Sequence, residues 1–537
     1  MVVHGPHALA RGAAALLLVL FAGCGGGSAS NAGSGAQLVM ARVKDAVVLD
    51  PAHATDGLSL NTTAEVMETL VGFKAGSFEI IPALATKWSA SADGKTWTFT
   101  LRAGARFSDG TPADAAAVKF NVDRWRLVSN KAHGAFPYAY YADVFGGYPG
   151  AIVDVRAPAP ATVVFRLAAP MGPFLRDLAM PSFAIGSPRA IEADPYAFER
   201  KPVGSGPYQL AEWVKDDHIT LTVNPTYSGR LPKPVIPSVI IRDIPDQATS
   251  VLSMQKGDIQ MLTDPRPDDA KALARETNVR IAEQPPNNVS YVALNMDKKP
   301  FDDLRVRQAV AYAIDAAAIV RGLYSAGTVV ADNWTPPGML GANPAVRGYR
   351  RDVRKARALL AAAGFPKGLT TTLYYPTSPR PYMPEPQRVA ETLQAQLQEG
   401  GINATLAPFE FGVFLAKVRN GEHDMCLIGW TGDNGDPDNF FYPVLDQDSA
   451  HKGTAQNYSF WRDPAFHKLM LAGQHTVDEA QRKAAYMAAN QMVHDQAPTV
   501  PLVHTAVPFA LSTTIRGFVP SPDTRYHFEL IKPAEAK

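Results

Sequence analysis

Cysteine is nearly absent: two thiols, Cys24 and Cys426, serve a chain of 537 residues. That excludes a disulfide scaffold and any cysteine-built zinc or iron–sulfur framework, which need about four thiolates or a Cys/His set. Charge of one sign is also lacking, because 52 Lys and Arg face 51 Asp and Glu for a formal net charge of +1. No basic field exists for phosphates to gather on, so nucleic acid is not an expected partner. After the first residues no apolar run reaches the roughly 18 needed to span a bilayer. The usual catalytic phrases G-x-S-x-G, G-x-x-x-x-G-K, H-E-x-x-H and C-x-x-C are missing as well, so no enzyme and no cofactor are expected. What remains is 46% hydrophobic and 19% charged, the balance of a folded globular body long enough for several domains.

The amino-terminal segment reads as an address. Arg11, the apolar run from Ala13 to Ala22, and the small residues Ala22 and Gly23 lead to Cys24. Ten apolar residues are too few for a spanning helix. The layout resembles a bacterial lipoprotein signal, which implies a leader over 1–23, lipid on Cys24 and a Gly/Ser-rich flexible tether over 24–36. Cys426, within MCLIGW, reads as a buried and inert thiol.

Period-2 alternation predicts strands over Thr96–Leu101, Thr162–Leu167 and His218–Asn224, and a more continuous apolar strand over Val239–Ile244. Asp114 caps a predicted helix carrying Ala117, Val118, Asn121 and Val122. Val306, Val310, Ala313, Ala317 and Val320 fall on one face of a single predicted helix. Further helices are expected from Asp352 to Phe365, Glu385 to Glu399 and Asp478 to Gln496, alternating with the strands INATLAPFEF and DMCLIGW. The expected architecture is α/β, in two lobes joined at Pro285-Pro286 and near His504. Lobe I takes 37–285, lobe II takes 286–504, and 505–537 returns to lobe I.

Two loops carry the chemistry. GWTGDNGDPDNFF, Gly429 to Phe441, follows an apolar strand and presents Trp430 and Asp433; RPYMP, Arg380 to Pro384, presents a fixed cation and Tyr382. Ligands in α/β sheets sit beyond the carboxyl ends of strands. One guanidinium and one carboxylate beside aromatic walls suit a small zwitterion such as a free peptide. The residues alone leave a second reading open, in which Arg380 and Asp433 make surface salt bridges and Trp430 is core. The acidic loop Asp433, Asp436, Asp438 does not fit an EF-hand, since Gly435 falls in the third position and Pro437 stiffens the middle, so no metal is expected. GSGP at Gly204 to Pro207 reads as a tight turn.

From about Leu38 to Leu530 the chain resembles the dipeptide-binding branch of the peptide and nickel solute-binding proteins, family 5, of bacterial ABC importers. SADGKTWTFTLRAGARFSDGTPADAAAVKFNVDR, PVGSGPYQL and KKPFDDLRVRQAVAYAID mark the broad family; RPYMPEPQRVAE, GEHDM, GWTGDNGDPDNFF and HDQAPTVPLVH mark the branch. The resemblance implies a two-lobed periplasmic-binding-protein type II fold with an extra subdomain inserted in lobe I. It implies that Asp433 holds a ligand ammonium, that Arg380 holds its carboxylate, and that Tyr382, Phe411, Trp430 and Tyr140 line the pocket. The branch often has Trp where Phe411 stands, a departure that bears on side-chain preference. The implied partners are a short peptide, permease subunits with separate ATPase chains and a lipid anchor, with the chain itself a monomer. Longer oligopeptides or haem are the alternative ligands. A secreted hydrolase using Asp433 and Asp436 as paired carboxylates is the alternative of another class.

Overall fold

Alternation sets the first sheet. In Thr96–Leu101 the side chains of Trp97, Phe99 and Leu101 are buried while the threonines between them face outward. This strand pairs with Ala85–Ala90 and Thr162–Leu167, and Ile152–Ala159 completes a four-stranded antiparallel sheet. The Asp114 carboxylate accepts the amide protons of Ala116 and Ala117, which starts the helix Ala115–Arg126 and lays Ala117, Val118 and Val122 onto that core. The structure is a computed structural model that describes residues 37–134, 136–523 and 525–535. The leader, Cys24 and the tether over 24–36 lie outside the described residues.

Two larger sheets follow among the described residues. Seven strands run in the spatial order Val279–Gln284, Val507–Ser512, Met261–Thr263, Gln37–Arg42, Ser238–Asp243, His218–Val223, Tyr208–Val214. Six run in the order Val329–Val330, Thr499–His504, Asn288–Leu294, Met425–Thr431, Leu369–Pro376, Ile402–Phe409. The chain therefore leaves the seven-stranded sheet after Gln284 and rejoins it at Val507. At this double passage the Asn288 amide donates to the Thr505 carbonyl at 2.8 Å, and the Thr505 N–H returns a bond to Asn288 Oδ1 at 2.8 Å. The two crossing segments are thus tied to each other, and each sheet with its helices forms one lobe.

The helix expected from Phe301 onward is interrupted. It forms as Leu304–Ala313 and Ala316–Leu323, with Ile314 extended between them. Asp315 is the cause: its carboxylate caps Ala318 N–H at 2.9 Å and its own amide donates to Gln396 Oε1 at 2.8 Å, offering the backbone a better alternative than continuing the helix. The remaining helices start as their caps require, at Asp352 and Asp478. Cys426 is buried and free, and burial pushes its thiol pKa up. Among the described residues no helix is long and apolar enough to cross a membrane.

Arg42 locks the end of the central strand of the seven-stranded sheet. It is fully buried, and its guanidinium meets Asp243 at 2.8 Å, Asp45 at 2.9 Å and Thr62 Oγ1 at 3.1 Å. Removing one member of such a group strands buried charge, at a cost of about 3–5 kcal/mol. Arg42→Leu is expected to lose about that much stability in denaturant unfolding, and a loss under about 1 kcal/mol would show that the two carboxylates find other partners.

Candidate functional site

Three neighbouring strands of the six-stranded sheet, Ile402–Phe409, Leu369–Pro376 and Met425–Thr431, run parallel. Their carboxyl ends therefore open on one edge. Phe411 stands just past the first, Arg380 past the second, and the loop from Gly432 to Asp438 past the third. Parallel order is what brings residues from three separate segments to one side of the lobe.

Hydrogen bonds determine the path of the acidic loop. Asn287, in the crossing segment, accepts Gly432 N–H at 2.8 Å and donates its amide to the Gly432 carbonyl at 2.5 Å. Asn439 Oδ1 accepts both Asp433 N–H at 3.1 Å and Trp430 Nε1–H at 3.2 Å. Gly435 has φ +64°, and a Cβ there would lie 2.1 Å from the ring of Phe78 in the other lobe, so glycine is required twice over. Asn434 Nδ2 reaches across to Asp177 Oδ1 at 2.7 Å. Asp436 is fully buried, pairs with Arg482 at 2.7 Å and lies 3.8 Å from Arg176. It is thus committed to structure and does not line the open space beside Asp433, which removes it as half of a catalytic carboxylate pair.

That space is a cavity of about 690 Å³ between the lobes, with Tyr140, Asp143 and Asp177 on one wall and Trp430, Asp433 and Asn439 on the other. The Tyr140 hydroxyl donates to Asp433 Oδ1 at 3.1 Å, a bond between lobes, and Asn439 Nδ2 approaches Oδ2 at 3.4 Å. What accessible surface Asp433 retains belongs to the cavity wall. Burial raises its carboxyl pKa to about 6, opposed by the bonds from Tyr140 and Asn439 and assisted by the nearby charge of Asp143. Burial and Asp433 in turn raise the Tyr140 phenol well above its ordinary value, so it stays protonated and donates.

Arg380, Phe411 and Tyr382 form a second group that does not line this cavity. The guanidinium carbon of Arg380 lies 3.4 Å from the centre of the Phe411 ring, and its Nε is buried without a hydrogen-bond partner. Among the described residues no carboxylate comes within 4.0 Å of Arg380. Tyr382 is 7% exposed and belongs to the lobe core, where its ring packs so tightly on Gly429 that a Cβ there would be 2.3 Å away. It braces the strand at Gly429 from within the lobe core. Of the six residues singled out by sequence, Tyr140, Trp430 and Asp433 share the cavity, and Arg380 and Phe411 stack beside each other. Asp143, Asp177, Asn434 and Asn439 were not anticipated. Asp143 could have been found, since it follows Tyr140 by three residues on the helix Ala139–Phe145; nothing in the sequence links Asp177 to the loop it faces. Asp446, His467 and the cavity-lining Asp448 place ligand atoms within 4.8 Å of one another, and His467 Nδ1 meets Asp446 at 2.9 Å.

Residues 79–452 match the bacterial extracellular solute-binding proteins, family 5 Middle. The chain belongs to this family. It is 35% identical over 494 residues to the dipeptide-binding protein of Escherichia coli K12, covering 89% of this chain and 91% of that one. It is 31% identical to heme-binding protein A of Haemophilus influenzae over 88% of both chains. Among solved structures it is similar to the periplasmic binding protein DppA of Helicobacter pylori in complex with the peptide STSA, with TM-score 0.79, 31% identity and coverage of 93% and 98%. The two lobes seen here are thus those of a family 5 solute-binding protein.

Since the Tyr140 bond holds the Asp433 pKa down, Tyr140→Phe is expected to raise it above about 6. Carboxyl carbon NMR titration of Asp433 checks this, and an unchanged or lower midpoint would show that the two side chains do not meet in solution.

Proposed function

We propose that this chain is the extracytoplasmic binding component of an ABC importer and that it captures dipeptides or other short peptides by their two ends. The carrying observation is Asp433: a carboxylate in a cavity between lobes, bonded to neutral groups only, with burial raising its pKa to about 6. A peptide ammonium supplies the missing charge. Arg380, unpaired and stacked on Phe411, is the seat for the peptide carboxylate, and Trp430 and Tyr140 pack against the ligand between them. The relatives named for dipeptide and peptide binding support the same ligand class.

In this reading residues 37–285 with 505–537 form one lobe and 286–504 the other, and the lobes close by motion at the two tied crossings. The Tyr140–Asp433 and Asn434–Asp177 bonds exist only in the closed form, so a ligand that holds Asp433 ionised reinforces closure. The leader over 1–23 directs export, Cys24 carries the lipid, and permease subunits driven by separate ATPase chains receive the cargo. No catalytic step is needed, and release of amino acids from an offered peptide would overturn the reading. Haem is the second ligand considered, favoured by the Haemophilus relative and by His475 on the cavity wall. The acidic lining of the cavity opposes haem propionates.

Asp433→Ala and Arg380→Ala are each expected to weaken dipeptide binding at least about tenfold by calorimetry, because each leaves a peptide charge unpaired in a closed cleft. N-acetylation of the peptide should cost as much; wild-type affinity in either variant would sink the two-anchor clamp. The pH dependence follows from the ionised Asp433 being the binding form. Affinity should fall as pH drops below about 6, where Asp433 takes up a proton, and fall again above about 8, where the peptide amine loses one. A flat profile from acid to neutral pH would place the ammonium elsewhere.

A further inference from the structure

Among the described residues, the inter-lobe cavity is lined by five aspartates, Asp143, Asp177, Asp433, Asp438 and Asp448, and by no lysine or arginine. This chain treats other buried carboxylates differently: Asp45 and Asp243 share Arg42, Asp50 meets Arg124, and Asp436 meets Arg482. The hydrogen bonds the structure gives these cavity aspartates come from neutral groups, and Asp448 also has His467 at 4.0 Å. Asp438 accepts from Gln474 and Tyr486, and Asp448 from Tyr442. Asp177 is only 1% exposed; its Oδ1 accepts from Asn434, and its Oδ2 accepts from nothing. A buried carboxylate oxygen left unbonded on a cavity wall is costly unless a ligand completes it.

The carboxyl groups are more numerous than one peptide ammonium requires. Burial holds the Asp438 carboxyl at about 7 and Asp177 well above the ordinary range, the behaviour of acids short of positive charge. Asp143 lies three residues after Tyr140 on the same helix, and its charge is felt by Asp433. It lines the cavity together with Asp433, where the clamp reading places the peptide amino terminus.

Resting on the clamp reading above, we infer that the cavity selects short peptides whose first residue carries a cationic side chain, lysine or arginine, with Asp143 as the specificity-determining residue and Asp177 as the buried acceptor behind it. The long aliphatic stem would lie along the apolar part of the wall, at Val144, Pro170 and Met171, and the charged head would meet the carboxylates.

Calorimetry on the purified protein near neutral pH, with Ala-Ala, Lys-Ala, norleucyl-Ala and Glu-Ala, tests this. Norleucine keeps the stem of lysine and omits its charge. Lys-Ala is expected to bind at least about tenfold tighter than norleucyl-Ala, and Glu-Ala weaker than either. Asp143→Asn should shrink the Lys-Ala advantage over norleucyl-Ala to below about threefold, and Asp143→Lys should turn the preference toward Glu-Ala. Equal affinity for Lys-Ala and norleucyl-Ala, with Ala-Ala still bound, would overturn the cation preference and leave the clamp standing. An advantage that survives Asp143→Asn in full would overturn the role of Asp143. Silence from all four peptides would overturn the clamp itself.

Discussion

A carboxylate kept short of positive charge governs this molecule. Asp433 sits between two lobes with a phenol on one oxygen and an amide near the other, and neither can neutralise it. Burying an ion without a counter-ion is among the larger costs a fold can carry, and here it is relieved in part by a raised pKa. That unfinished electrostatics is what a cationic ligand group would complete. Because Tyr140 belongs to the opposite lobe, the same atom that would bind such a group also registers whether the lobes are together.

The geometry around Asp433 depends on sheet topology. Parallel order of Ile402–Phe409, Leu369–Pro376 and Met425–Thr431 delivers Phe411, Arg380 and the acidic loop to a common edge, and the asparagines at 287, 434 and 439 fix the loop once it arrives. Asp436 shows how the chain separates two uses of one residue type within three positions. It is sealed with Arg482 and supports the loop, whereas Asp433 is left to the cavity.

Much of the local architecture could be read from the order of residues. The strand Thr96–Leu101 and the helix starts at Asp114, Asp352 and Asp478 follow from alternation and capping acting over a few positions. The interruption at Ile314 and Asp315 was not legible, because the apolar spacing runs through both positions and Gln396, which accepts the Asp315 N–H, is 81 positions away. Tyr382 shows a related limit: an aromatic in a loop after a strand carries no local mark of its burial, and only the fold packs it on Gly429 in the lobe core.

The sequence by itself determined the α/β alternation, the family, and the loops that hold Arg380 and Asp433, because these rest on short-range patterns and on phrases that travel intact. Only the tertiary structure decided that Tyr140 meets Asp433 across 293 positions, that Asp177 and Asp143 join it, and that Arg380 stands with Phe411 outside the cavity. Those arrangements depend on how two lobes approach, and the electrostatic environment of a carboxylate is a property of everything packed around it, which no local pattern records.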